Sequence, residues 1–459
     1  CVCVVEGVTE LGSGQVGDDG MRLVNNAVIA AFGGDLTLDT GANLITNNGV
    51  LVSSHDQILG INSAILNNFQ ISTSGALDDV GTVDVWGALF NNGSVSAHDD
   101  GTLSLASVAN KGTITIDFTS TASQTGSLVN YATGTISNSG TYALHSKVSN
   151  IGAIYAEDGI LTVDGATNNT GMLYVGTNGE VKLFSTLANS GSIQADGGVL
   201  DITGATVNSG TITIAASGHV NHLGSLVNTA AGTINSEGTY ELHSTVNNSG
   251  ALNNLSGSLT IDSTLLNHGS FYVGDSGDAD LLYLLRNFGT VEVDGGSLGI
   301  AGGTSNSGTI TASAASYVEH NAYVINSASG IMSNFGTYVV DSTVSNAGTI
   351  ESEGGSFSIA GSVVNTGYIE AEDGASFTIS GRVKQQWRYA GSRRFVSIRS
   401  VVGGGWCSLD HEWGYAGIWG RRECPRHFLR MRKHSRARPI VNLQGRSHEL
   451  RQRQSDRFQ

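Results

Sequence analysis

The sequence predicts an all-β fold: a right-handed parallel β-helix (β-solenoid) with coils of 19–20 residues under a 98-residue superrepeat. Three observations predict it. An asparagine returns every 19 or 20 residues, followed two places later by glycine or a close stand-in, at Asn91, Asn110, Asn130, Asn150, Asn169, Asn189, Asn208, Asn228, Asn248, Asn267, Asn287, Asn306, Asn326, Asn346 and Asn365. Short runs of alternating apolar and polar residues fill the space between them. The text also repeats at a second, five-coil period. A unit of this size does not bury its apolar face alone, so copies must stack.

Each coil reads as three short strands and three turns. From Asn189-Ser190-Gly191 the chain passes through Ser192-Ile193-Gln194-Ala195, turns at Asp196-Gly197-Gly198, and continues as Val199-Leu200-Asp201-Ile202. Period-2 alternation sends Ile193, Leu200 and Ile202 inward and Gln194, Asp201 and Thr203 outward. Asp-Gly-Gly and Asn-Ser-Gly read as turns, because Gly and Asn accept positive φ at low steric cost. Right-handedness follows the general preference of parallel crossovers. The recurring Asn suits an amide ladder, each side chain bonding to the next coil.

The superperiod appears in Asn130, Asn228 and Asn326, 98 residues apart. Gly140-Thr141-Tyr142, Gly238-Thr239-Tyr240 and Gly336-Thr337-Tyr338 share the offset, as do Val83-Asp84-Val85-Trp86 and Val181-Lys182-Leu183-Phe184. Looser coils are expected around Asn26, Asn47 and Asn67. Residues 1–23 are read as a ragged start and 24–381 as about 18 coils, a rod of roughly 85 Å at ~4.8 Å per coil.

Composition divides the chain. Residues 1–381 hold 5 cationic and 34 acidic residues, a net of −29; residues 382–459 hold 18 and 5, a net of +13. The acidic part argues against nucleic acid and anionic membranes as partners. Cys1, Cys3, Cys407 and Cys424 leave the repeats free of disulfides and thiolate metal ligands. No apolar run of 18 residues exists, so no transmembrane helix is expected. The opening on Cys1, without a signal-peptide layout, reads as an internal fragment.

The basic, tryptophan-rich segment 382–459 superficially suggests a nucleic-acid or membrane-surface patch. A frameshift accounts for it better. Lys384-Gln385-Gln386-Trp387 back-translates as AAA CAA CAG TGG. Read one base later, with the first base of an Arg388 codon, it encodes Asn-Asn-Ser-Gly, the coil motif, where the next coil is due after Asn365. Segment 382–459 is therefore expected not to be a native domain.

No constellation for catalysis stands out. His219 and His222 are three apart on a strand and face opposite sides, which disfavours shared metal ligation. His320 is the superrepeat counterpart of His222; His145 and His243 are counterparts, with Asp341 in the third copy. Asp158, Asp196, Asp294 and Asp373 sit beside glycine, the usual place of a turn Asp. Weak surface calcium binding is the only metal expectation. Arg22, Lys111, Lys147, Lys182 and Arg286 are scattered singly, unlike the clustered carboxylate and cation groove of an enzyme acting on acidic polysaccharide. No catalytic or cofactor-binding residue is assigned.

The segments Leu187-Ala188-Asn189-Ser190-Gly191-Ser192-Ile193, Val207-Asn208-Ser209-Gly210-Thr211-Ile212-Thr213-Ile214 and Leu226-Val227-Asn228 with Gly232-Thr233-Ile234 resemble β-solenoid repeats of bacterial surface proteins. Those are filamentous-haemagglutinin-like adhesins and autotransporter passengers. The resemblance covers about residues 24–381 and implies an exported, outer-membrane-associated or extracellular stalk. It implies adhesion to glycans or proteins of host or neighbouring cells, with a translocator barrel lying outside this sequence. A non-enzymatic, structural or adhesive role is the expectation. The alternatives are a pectin-lyase-like enzyme acting on polysaccharide, or a phage or virus fibre segment.

Overall fold

The computed structural model describes residues 2–7, 9–17, 20–54, 56–73, 81–371, 375–385 and 396–397. They form an all-β, right-handed parallel solenoid of about 18 turns. Each coil contributes three strands, for example Leu187–Asn189, Ser192–Ala195 and Val199–Ile202. Each strand pairs in parallel with its equivalent one coil on, Leu187 against Thr206, Ile193 against Ile212 and Leu200 against Val220. Ile193 on Ile212 and Leu200 on Val220 stack aliphatic on aliphatic, whereas at the first strand Leu187 meets a buried threonine.

The interior combines apolar columns with a row of buried asparagines. In this coil Leu187, Ile193, Ala195, Leu200 and Ile202 are buried, and Gln194 and Asp201 face outward. The second and third strands of the coils belong to one sheet, and the first strands make another. Near the N-terminus the chain shows why: Val28–Leu38 is one continuous strand that pairs with both Val50–Ser53 and Ile58–Ile61.

Two details differ from the sequence reading. Parallel pairing begins ahead of residue 24, with Val2–Val5 on Arg22–Asn25 and Thr9–Val16 on Val28–Leu38. The repeating asparagine of that early coil is Asn25 and not Asn26. At the other end Val383–Gln385 pairs with Val363–Asn365. The rest of the basic segment lies outside the described residues, apart from Arg382 and Val396–Ser397.

Glycine plays two distinct roles. Gly197, in the Asp-Gly-Gly turn, has φ of 121°, as the turn chemistry requires. Gly191, in Asn-Ser-Gly, has no positive φ; a Cβ there would land on the carbonyl oxygen of Gly171 in the preceding coil. The second glycine of the signature is thus set by coil-to-coil approach rather than by turn dihedrals.

Candidate interaction surface

The repeated asparagines form a buried chain. Each Nδ2 donates to the Oδ1 of the next coil at 2.7–2.9 Å, from Asn25 through Asn47, Asn67 and Asn91 to Asn365. Asn365 donates to Oε1 of Gln385 at 2.9 Å. The other Nδ2 proton reaches a backbone carbonyl, as from Asn150 to Met172 at 2.8 Å. These asparagines are fully buried, so they hold coils together and touch no outside partner.

A second, exposed ladder runs the other way over the first coils. Asn48 Nδ2 donates to Asn26 Oδ1 at 2.9 Å, Asn68 to Asn48 at 2.8 Å and Asn92 to Asn68 at 3.1 Å. Neighbouring Asn pairs in the sequence carry this signal, since one member faces in and the next faces out.

The histidines separate as strand alternation demands. His222 is buried, with Nε2 3.0 Å from Thr206 Oγ1 and Nδ1 3.3 Å from the Tyr240 hydroxyl. His219, on the outer side, lies 3.7 Å from Glu241. Burial pushes His222 down to about 4 and His320 down to about 3. His145 and His243 each meet an aspartate one coil on, Asp164 at 2.7 Å and Asp262 at 2.5 Å. His98 meets Asp117 in the same way.

The turn aspartates also have partners. The Tyr174 hydroxyl donates to Asp196 at 3.1 Å, the Tyr272 hydroxyl to Asp294 at 3.3 Å, and Asn178 Nδ2 to Asp158 at 3.0 Å. Asp373 lies outside the described residues. Among the described residues no three His, Cys, Asp or Glu side chains come together in a group that could hold a metal. Nor is any helix there long and apolar enough to cross a membrane, which says nothing of β-barrels.

What remains for recognition is the outer surface. The second-strand row is rich in threonine, such as Thr211 and Thr213 beside Thr233. The third-strand row and the corner after it are acidic, with Asp84, Asp201, Glu241 and Asp280 against Lys182, whose Nζ is held by Glu180 at 2.8 Å. Large apolar side chains stand on that corner: Trp86 is 70% exposed, Phe184 52% and Leu282 46%. They occupy one position at 98-residue intervals. Each donates its backbone N–H to the last third-strand residue of the coil below, to Ile61, Val163 and Ile261 respectively.

Two shallow clefts mark the surface. One of about 280 Å³ is lined by Lys182, Phe184, Asp201, Thr203, Asn221 and Leu223. The other, of about 340 Å³, lies on the first-strand face among Leu44, Leu66, Phe90, Asn92, Lys111 and Tyr131, with the Lys111 ammonium 5.2 Å from the Tyr131 ring.

No protein-family model and no curated protein matches the chain. Among solved structures, the chain is similar to a TibC-catalysed, hyper-glycosylated TibA fragment, at 13% identity and a TM-score of 0.23, over 81% of this chain and 100% of that one. A TM-score that low supports no inference about function. The class defined by the fold is the β-solenoid.

Proposed function

We propose that this protein is a cell-surface or secreted structural and adhesive rod, an adhesin stalk or autotransporter passenger, and not an enzyme. The observation that supports this reading is the stack of about 18 coils. Its interior is filled by aliphatic columns and a continuous amide chain, so its chemistry lies on long outer rows. At ~4.8 Å per coil those rows extend roughly 85 Å, which suits many weak contacts with a periodic partner. The partners are glycans or proteins of host or neighbouring cells, met outside the producing cell. Weak surface calcium remains the only metal the acidic rows invite.

The test is adhesion by the purified chain on beads, compared with a variant lacking one 98-residue superrepeat. Contacts summed along a rod predict graded loss in the shortened variant. Absence of adhesion by the full rod to any cell surface would sink the reading. Protease removal of the protein from intact producing cells is expected; protection from protease would contradict surface display.

A further inference from the structure

The corner after the third strand carries a feature that a stiff spacer does not need. Trp86 and Phe184 leave most of an aromatic ring in water at equivalent positions five coils apart, about 24 Å at ~4.8 Å per coil. Phe184 shares its cleft with one other exposed apolar side chain, Leu223, among the polar residues Lys182, Asp201, Thr203 and Asn221. In the corner row Phe184 lies between Asp164 of the coil below and Thr203 of the coil above, with Lys182 and Asp201 beside it on the strand row. A protein interface places its aromatic anchors within a contiguous desolvated core. A ring with a single apolar neighbour, edged by carboxylate, amide and hydroxyl groups, instead matches a pyranose, which offers a C–H face for stacking and hydroxyls around its rim.

Charge narrows the ligand. Asp84 stands two residues before Trp86, Asp164 holds the corner position one coil below Phe184, and Asp201 shares the Phe184 cleft. Lys182, the cation lining the Phe184 cleft, is paired to Glu180 at 2.8 Å. Carboxylated sugars would meet repulsion here, whereas neutral or amino sugars would not.

We propose that this corner is a saccharide-contact strip, with Trp86 and Phe184 as repeated stacking platforms for neutral or amino sugars of a surface glycan. This rests on the adhesive reading above and names its ligand class. Two platforms on one rigid rod engage a long or clustered glycan together, so weak single contacts sum.

The experiment uses the full chain, with W86A, F184A and the double variant, against immobilised N-acetylated and deacetylated chito-oligosaccharides, neutral galacto-oligosaccharides, sialylated glycans and oligogalacturonates. Thermal melts of all variants are run alongside, and equal melts are expected because both rings are exposed. The strip predicts retention on neutral or amino oligosaccharides and none on the acidic ones. Each single variant should lose at least about tenfold in affinity, and the double variant more; F184W should retain binding. Wild-type binding kept by the double variant, preference for the acidic sugars, or no binding to any probe would each overturn the proposal. Cell adhesion separates it from the broader reading. Adhesion that survives in the double variant leaves the adhesive rod standing and removes the strip. Adhesion lost in the double variant but indifferent to enzymatic deglycosylation of the target cells assigns the corner to a protein and also overturns the saccharide. No adhesion by the wild type counts against the rod reading itself.

Discussion

His320 Nε2 stands 2.8 Å from the hydroxyl oxygen of Tyr338, with both side chains fully buried and their rings stacked at 5.4 Å. Thr304 Oγ1 meets the other ring nitrogen at 2.9 Å. One superrepeat earlier His222 and Tyr240 make the same pair, and two earlier the Tyr142 hydroxyl donates to Gln124 Oε1 at 2.7 Å. Besides the amide chain, a buried pair of this kind, His–Tyr or Gln–Tyr, thus recurs at the 98-residue offset, and each histidine is satisfied at both ring nitrogens. The ring stack continues beyond Tyr338 through Phe357 at 4.5 Å and Phe377 at 4.8 Å, close to the spacing of paired strands.

Acid should weaken the rod through these histidines. Burial holds their folded pKa near 4 and 3, below the ordinary value near 6.5 that an unfolded chain has. Below pH 6.5 the unfolded chain binds more protons, so stability falls as pH drops through the window from about 6.5 to 4. The slope approaches about 1.4 kcal/mol per pH unit for each histidine. H222Q/H320Q, which installs the residue found at Gln124, should flatten the fall between denaturation midpoints at pH 7 and pH 4.5. An equal fall in wild type and variant would refute the assignment.

Tyr338→Phe removes the hydroxyl and leaves His320 Nε2 buried without a partner. The expected loss is about 1–3 kcal/mol. Tyr142→Phe should behave alike by orphaning Gln124 Oε1. Thermal melts at neutral pH measure both, and a neutral result in both would mean the pairs contribute no net stability.

Asn208→Ala cuts the inner amide chain between Asn189 and Asn228. It strands a donor on one side and an acceptor on the other, so a loss of about 1–3 kcal/mol is expected. Asn48→Ala, on the exposed outer ladder, should stay within about 0.5 kcal/mol. Chemical denaturation of the two variants side by side distinguishes the ladders. Equal effects would mean that burial does not separate them.

Gly191→Ala forces a methyl group onto the Gly171 carbonyl, and overpacking of this kind typically costs about 1–3 kcal/mol. Gly354 has open space and no positive φ, so Gly354→Ala is the control and should be neutral or slightly stabilising. The difference in melting temperature reads the effect directly.

Gln385 accepts from Asn365 at the place where the shifted reading frame supplies an asparagine. Resequencing the source DNA across the codon for Arg382 is expected to restore Asn-x-Gly coils in place of the basic segment. A confirmed frame as written would retire the frameshift and make the segment a genuine basic module.

Much of this protein was legible because its period is so strict. The spacing of Asn189, Asn208 and Asn228 implies stacking, and the alternation around Ile193 and Leu200 implies which side faces in. The offset linking Trp86 to Phe184 was also readable, although their shared exposure was not. Periodicity gives the face of a residue but not its neighbours' reach. At the adjacent Asn25 and Asn26 no glycine follows two places on to single out a member, and strand register decides that Asn25 is the buried one. The glycine of Asn-x-Gly misled, since a sequence records the need for glycine without the cause.

The sequence by itself determined the architecture, because a coil this short gains a core only from identical neighbours and the same residue type must recur wherever coils touch. It determined the coil length, the inward rows and the superrepeat. Tertiary structure decided which polar residues are interior and which are offered outward. His222 and His219 lie three residues apart, yet one is sealed against Tyr240 and the other lies near Glu241. Those roles depend on side chains 16 to 22 residues away that only stacking brings near. The corner of Trp86 and Phe184 is likewise a product of stacking, which lines up residues 98 apart on one edge of a rod.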